Sequence, residues 1–589
     1  MTENRARPLM AFMLTLCLAH AVAGAGNSSN VVSSPVGQKI DHYVTRLESL
    51  GFSGAVLVAE NGKIILEKGY GLADREKGTS YTPETVFDIG SITKQFTAAA
   101  ILRLEMMDKL RVTDSISRYL DGVPEDKQAI TLHHLLTHSS GLEGGFGDDY
   151  EETSRNALVE KALGSELRWA PGTQFGYSNA GYSLLGAIVE KVSGQPYETF
   201  LHEQIFRPAG MEKTGYRIPQ WKREALARGY RGDNPWGTPL DQAWAPDGPW
   251  WHLRANGGLL STVGDLYKWH RALEGDSILS TQAKSKYFAP HVSENDRGIS
   301  HYGYGWKIST TPRNTKLISH TGGNGIFAAD MRRFVDEGSV VIAGSAQSDF
   351  QSTWITDAIT GMLFGHQIIM PPAVAHLDPA VLSRYAGTYA LRSGGKLVVT
   401  TAPAGANHEP HLEVTPQGRD AFEALMGGVS REVRVRLADQ ELRLLTALEQ
   451  VREEKYGPLA DVYGAPEDEV RPRTMARLTE LQSRLGPLRR FEILGTVVRD
   501  ERVSTWVRFK FENGVQVFEH VWEGAKIVWV RPIERLDRKF FVPESSKEIF
   551  SYDPGTQQVQ RIGIEFGKNG RIKTLILRVA SGEVRAGRS

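Results

Sequence analysis

Three prolines in the ten residues Met370-Pro-Pro-Ala-Val-Ala-His-Leu-Asp-Pro379 divide this chain more sharply than any other feature. Proline donates no backbone hydrogen bond and turns its predecessor away from helix, so neither a helix nor an interior strand runs through such a stretch. At 589 residues the chain is also too long for one hydrophobic core. The main domain boundary is placed here, where helical pattern gives way to strands.

Before the boundary, β-rich runs at Ser53-Gly-Ala-Val-Leu-Val-Ala-Glu60 and Lys63-Ile-Ile-Leu-Glu67 flank Asn61-Gly62, a strong hairpin signal. Helical spacing follows at about 93–109 and 181–192, and strand-like runs return at 316–320, 325–329 and 339–343. Strands at both ends with helices between predict an α+β domain in which distant segments share one sheet. Beyond the boundary, strands are predicted at 397–401 and 431–437. Two more Asn-Gly hairpins follow, 506–518 turning at Asn513-Gly514 and 562–577 turning at Asn569-Gly570. Between the 431–437 strand and these hairpins, a helix at about 472–486 carries Met475, Leu478, Leu481 and Leu485 on one side. The C-terminal region therefore reads as mainly antiparallel β with a helical interruption. No solenoid-length repeat and no heptad run occurs.

Charge narrows the function. Lys+Arg and Asp+Glu both number 69, so no global field favours nucleic acid. A basic start at Arg5 and Arg7, an apolar run over Leu9–Ala19 and small residues at A-x-A spacing near Ala25 predict a secretory signal peptide at 1–25, too short to span a membrane. Cys17, the one cysteine, lies inside it, so the mature protein is expected to have no disulfide, thiol nucleophile or thiolate metal site.

The candidate chemistry begins at Gly90-Ser91-Ile92-Thr93-Lys94-Gln95-Phe96. On a helix three residues turn about 300° and rise about 4.5 Å, so Ser91 and Lys94 share one face. Ser91 is then either a helix cap or a nucleophile beside its proton acceptor. Two further motifs bear on the choice: Pro171-Gly172-Thr-Gln-Phe-Gly176-Tyr177-Ser178-Asn179, and His320-Thr321-Gly322-Gly323 at the end of a predicted strand. Tyr177 and Asn179, two apart in extended chain, point the same way. Singly, they also fit a half-buried aromatic and a turn residue.

The order Ser-x-x-Lys, Tyr-x-Asn, His-Thr-Gly resembles the serine β-lactamase-related superfamily of penicillin-binding proteins, in the branch of class C β-lactamases, D,D-carboxypeptidases and related esterases. The resemblance covers roughly residues 36–365 and includes Phe87-Asp-Ile-Gly-Ser91, Leu135-Leu-Thr-His-Ser-Ser-Gly-Leu142 and Gly303-Tyr-Gly-Trp306. It implies a β-lactamase/transpeptidase-like α+β fold at 36–370, an antiparallel sheet flanked by helices plus an all-α subdomain, with the site between them. It also implies roles: Ser91 as nucleophile, Lys94 and Tyr177 as candidate bases with Tyr177 serving deacylation, and Asn179 holding Lys94 and the substrate amide. The backbone N–H groups of Ser91 and Gly323 would meet the oxyanion. Thr321, Gly322 and Gly323 would let substrate lie along the strand edge.

One position departs from the β-lactamase pattern, where lysine usually begins the third motif. His320 stands there, and an imidazole only partly charged near neutral pH would hold an anionic carboxylate less firmly. Arg254 is read as an exposed structural arginine, with a contribution of positive charge to the site as the alternative. His133, His134 and His138 match a structural segment of the family, and neither a metal nor any other cofactor is expected. The C-terminal region resembles a lipocalin-like barrel at 377–438 and 536–589, interrupted by a cystatin-like α+β insert at 439–535. The whole implies an exported, periplasmic or secreted serine hydrolase acting on a small-molecule or peptide substrate, cell-wall peptides among the candidates. The alternatives are a carboxylesterase for small esters and a penicillin-binding sensor that acylates without turnover. Substrate choice and oligomeric state lie beyond these motifs.

Overall fold

Asn61 and Gly62 take φ values of 50° and 74°, the paired left-handed turn that suits strand twist, and join Gly54–Glu60 to Lys63–Tyr70. This hairpin belongs to an antiparallel sheet of nine strands in the computed structural model, which describes residues 30–232, 234–295, 298–403, 410–427, 431–499, 502–533, 539–579 and 582–589. The predicted signal peptide and Cys17 lie outside the described residues. Ser339–Ser345 pairs with Gly54–Glu60, and Ala328–Phe334, Lys316–Gly323 and Lys307–Thr310 follow in order, so the two ends of the domain do share one sheet. The predicted strand at 325–329 starts later, at Ala328. Asn324 accepts the Ile326 and Phe327 N–H groups and Gly325 has φ 82°, which makes this stretch a turn.

Side-chain alternation along Gly54–Glu60 feeds two cores. Ala55, Leu57 and Ala59 meet the helical layer that contains Thr93–Met106, whereas Val56 and Val58 meet Ser34–Glu48 and Ser352–Leu363. Thr93–Met106 is buried at every position from Thr93 to Leu102, as expected of a helix apolar on all sides. Beside it runs Asn179–Ser193, capped by Ser178, whose Oγ accepts the Gly181 N–H at 3.1 Å, and ended by Gly194 at φ 75°. The cleft between sheet and helices is thus framed by two well-determined helix starts.

Beyond Pro379, eight antiparallel strands close into a barrel, with Gly387–Leu391 paired to Gly582–Arg588. Between barrel strands His411–Gln417 and Lys539–Ser545 lie helices and a four-stranded sheet. The predicted strand at 431–437, assigned above to the barrel, is instead the start of a helix, Arg431–Val451. Its arginines, glutamates and leucines are strong helix formers, and Leu437, Leu444, Leu448 and Val451 bury one stripe at helical spacing that a seven-residue window does not reveal. The helix predicted at 472–486 spans Glu467–Leu485; Leu481 is buried, Leu478 and Leu485 are half-buried, and Met475 faces outward. The Asn513-Gly514 and Asn569-Gly570 hairpins form, but as longer loops, since neither asparagine takes positive φ.

The barrel docks on the Ser34–Glu48 and Ser352–Leu363 side of the sheet. Tyr552 Oη meets Tyr43 Oη at 3.2 Å and donates to Ile369 O at 3.0 Å, and the Ala375 N–H donates to Pro543 O at 2.8 Å. A chain ended after Pro372 is expected to keep one cooperative thermal transition, losing these few hydrogen bonds at about 1 kcal/mol each. Calorimetry checks it; loss of the transition would mean that the barrel completes the core.

Candidate active site

Ser91 sits in a tight turn, Gly90–Ile92, immediately before Thr93–Met106. Phe87–Asp88 pairs with Leu260–Ser261, and Asp88 Oδ1 accepts the Gly90 N–H at 2.7 Å. Gly90 is left-handed (φ 50°), and a Cβ there would lie 2.2 Å from Gly323 N; a Cβ on Gly322 would lie 1.9 Å from Ile89 O and 2.8 Å from Ser91 N. The turn and the strand edge therefore touch backbone to backbone, which glycine alone permits. Their contact puts Ser91 N and Gly323 N in the same close approach of turn and strand. Thr321 and Gly323 are exposed on that edge and Gly322 is half-exposed.

Lys94 lies one turn on, fully buried. Its Nζ donates to Ser91 Oγ at 3.1 Å, Asn179 Oδ1 at 2.7 Å and the Asn256 carbonyl at 2.7 Å. Burial pushes its pKa well below 10.5, with the Asp149 carboxylate opposing from a distance. The lysine backbone is fixed as well: Gly305 (φ 74°) backs so closely onto the Lys94 carbonyl that a Cβ would sit 2.6 Å from its oxygen.

Tyr177 crosses above this amine, its ring centroid 4.7 Å from Nζ and its hydroxyl beside Ser91. Desolvation raises its pKa above the ordinary tyrosine value, more than the Ser91 contact lowers it, so the phenol is protonated at rest. The ring packs against His138 with centroids 4.2 Å apart and planes tilted by 36°. His138 has φ 57°, and its Nδ1 accepts the Ser178 N–H at 3.0 Å. The Gly176 N–H donates to His138 O at 2.8 Å, and the Asn179 N–H to Gly144 O at 2.7 Å. The loop around His138 thus clamps the segment that delivers Tyr177 and Asn179. His133 bonds Tyr304 at 2.8 Å through Nδ1, and His134 completes the cap of its own short helix with Thr131, so the three histidines serve separate structural contacts.

His320 differs from the expectation of a partly charged imidazole. It is buried, its Nδ1 lies 2.6 Å from Thr321 O and its Nε2 2.8 Å from Tyr302 Oη. A carbonyl only accepts, so Nδ1 carries the proton and Tyr302 donates to Nε2. Burial first, and Lys94 second, push its pKa down to about 3. The ring is neutral across the physiological range. Arg254 is structural but buried rather than exposed, gripping Asp247 through two bonds of 2.8 Å.

Two site members, Asn256 and Asp88, are not singled out by the three motifs. Asn256 contributes a backbone carbonyl to Lys94, while its side-chain amide is held by Ser183 Oγ at 2.8 Å and His252 O at 2.7 Å. Asp88 is buried, its pKa raised by desolvation to about 7; its second oxygen accepts Asn324 Nδ2 at 3.1 Å, tying the serine turn to the end of the strand.

Residues 38–352, more than half of the chain, match the family model for β-lactamases. The chain belongs to the β-lactamase family. It is 30% identical over 411 residues to penicillin-binding protein 4* of Bacillus subtilis (strain 168), covering 65% of this chain and 89% of that protein. To the putative penicillin-binding protein PbpX of the same organism it is 34% identical over 272 residues, 46% of this chain and 65% of the relative. The structure of the octameric penicillin-binding protein homologue from Pyrococcus abyssi aligns with a TM-score of 0.52 over 94% of this chain and 100% of that one, a likeness of fold at 20% identity. In broad class this family member is a serine hydrolase. Among its described residues no helix is long and apolar enough to cross a membrane.

Two outcomes follow from the geometry. Gly322→Ala should separate the turn from the strand and slow acylation of Ser91 by on the order of 10²-fold, the scale of losing one oxyanion donor; an unchanged labelling rate with a fluorophosphonate would show that the close approach is dispensable. Because His320 stays neutral above about pH 3, His320→Gln should leave unchanged how the kcat/KM ratio of a matched anionic and neutral ester varies from about pH 5 to 8, a window in which Asp88 titrates. A pH dependence of that ratio that disappears in His320→Gln would mean that the imidazole carries charge.

Proposed function

We propose that this chain is an exported serine hydrolase that cleaves an amide or ester through an acyl-enzyme on Ser91. The observation that carries the reading is the buried Lys94 amine 3.1 Å from Ser91 Oγ. An amine whose charged form is disfavoured by desolvation is a better proton acceptor than an exposed lysine, and a serine hydroxyl needs one. Oγ attacks the substrate carbonyl as its proton passes to Lys94, and the oxyanion rests against the Ser91 and Gly323 N–H groups. Collapse breaks the bond to the leaving group, which departs with that proton. In deacylation a water attacks the ester carbonyl. Tyr177, protonated at rest, takes the water's proton while giving its own to Lys94, and Lys94 returns that proton to Ser91 Oγ as the carboxylic acid leaves. Asn179 positions Lys94 and offers its amide to the substrate. Export rests on the N-terminal pattern of basic residues, apolar run and small residues.

The relatives are named penicillin-binding proteins, which makes D,D-peptidase chemistry on a peptide or β-lactam the first substrate class to test. The neutral His320 favours a second reading, an esterase for uncharged substrates, because it offers an anionic carboxylate no cation at the third motif.

Ser91→Ala should abolish labelling by a fluorescent penicillin and a fluorophosphonate while leaving the fold intact, and labelling that persists would overturn the assignment. Lys94→Ala should remove acylation; Tyr177→Phe should slow deacylation and accumulate acyl-enzyme, which intact-mass spectrometry reads directly. The acylation rate should rise with pH through the Lys94 pKa, below its ordinary 10.5, since the neutral amine is the competent form. A rate that climbs only near that ordinary value would mean that Lys94 is charged at neutral pH.

A further inference from the structure

The insert holds a second concave site, outside the residues that match the family. Helices Gly457–Tyr463 and Glu467–Leu485 stand off the four-stranded sheet and leave an open cavity of about 340 Å³, within the range of roughly 300–1,000 Å³ that small-molecule sites occupy. Its floor is aromatic: Phe509 packs against Phe491 at 4.6 Å and against Phe518 at 4.7 Å.

Charged groups flank that floor. His520 is 1% exposed and lies behind the lining, held by the backbone of Thr505 and Phe518. Arg477 lies over the Phe518 ring at 5.4 Å and is close enough to bias both Tyr463 and His520 electrostatically. Arg473 is four residues earlier, on the same helix face. Neither arginine makes an ion pair among the described residues, and the acidic lining residue, Glu469, pairs with neither. Trp529, half exposed, completes the rim.

We propose that this cavity binds a small anionic amphiphile, a carboxylate on an aliphatic or aromatic body, with the body on Phe491, Phe509 and Phe518 and the carboxylate at Arg473 and Arg477. Two unpaired guanidinium groups above an aromatic floor match that chemistry in both charge and shape.

The test uses the full chain with 1-anilinonaphthalene-8-sulfonate as fluorescent probe and octanoate as competitor. Octanoate should displace the probe, with octanol markedly weaker. The Arg473→Ala/Arg477→Ala double variant, both positions being on the surface, should weaken octanoate at least tenfold, leave octanol unchanged and keep hydrolysis at Ser91 intact. Thr474→Trp, which fills the half-buried wall, should remove both competitors, whereas Ser91→Ala should remove neither. Octanoate binding that is unaffected by the double arginine variant, that is lost when Ser91 is blocked, or that is absent from the wild-type chain would overturn the proposal.

Discussion

The amine of Lys94 lies inside the larger core with none of its surface exposed, where an unpaired positive charge would cost several kcal/mol. The surroundings answer that cost twice. Three acceptors, Ser91 Oγ, Asn179 Oδ1 and the Asn256 carbonyl, use all three donors of the ammonium form, and desolvation draws the group toward the neutral amine. These acceptors come from three separate segments of chain. The helix start at Thr93, the helix start at Asn179 and the 250s loop must therefore all be in place before the lysine is satisfied. The loop around His138, the Arg254–Asp247 pair and the glycines at 305 and 322 all act to hold those segments in register.

This dependence explains what the sequence disclosed and what it did not. Ser91 with Lys94, and Tyr177 with Asn179, are short-range pairs whose spacing alone puts them on one face of a helix or one side of an extended chain, so both were legible. The third acceptor was not, because Asn256 acts through its backbone carbonyl, which carries no side-chain signature. The Asp88–Asn324 bridge joins residues far apart in sequence, and no local pattern announces such a contact. His320 was found by its motif but misjudged in charge. Its state is set by burial and by Lys94 and Tyr302, neither of which adjoins it in the chain.

The fold divides similarly. The two central strands were readable from continuous apolar runs, since each feeds a core on both faces. Asn61-Gly62 marked its turn correctly because both residues occupy the left-handed region. The misreading at 431–437 arose where alternating arginine and apolar residues imitate a strand, although the buried stripe that decides the matter runs on to Val451. Patterning identifies an element only over a window longer than the competing period. The cavity in the insert was illegible for another reason: it lies between a helix and a sheet face, and sequence pattern describes each surface but not the gap between them.

The neutrality of His320 bears on how the cleft handles charge. With Lys94 drawn toward its neutral form, Tyr177 held protonated and His320 unable to charge, the motif side chains around Ser91 offer dipoles more than ions. Stabilisation of an oxyanion would then fall to the two backbone N–H groups brought together by Gly90, Gly322 and Gly323. Their orientation is fixed before the reaction begins, so no reorganisation is needed as charge develops. Such a site has a corollary for specificity. Fixed dipoles aimed at a reacting carbonyl act on any acyl group that reaches them, whereas recognition of a substrate carboxylate needs a cation placed farther out. Any preference for anionic substrates would accordingly rest on a cation outside the three motifs. The three motifs would then set the reaction, and the chain around them the substrate.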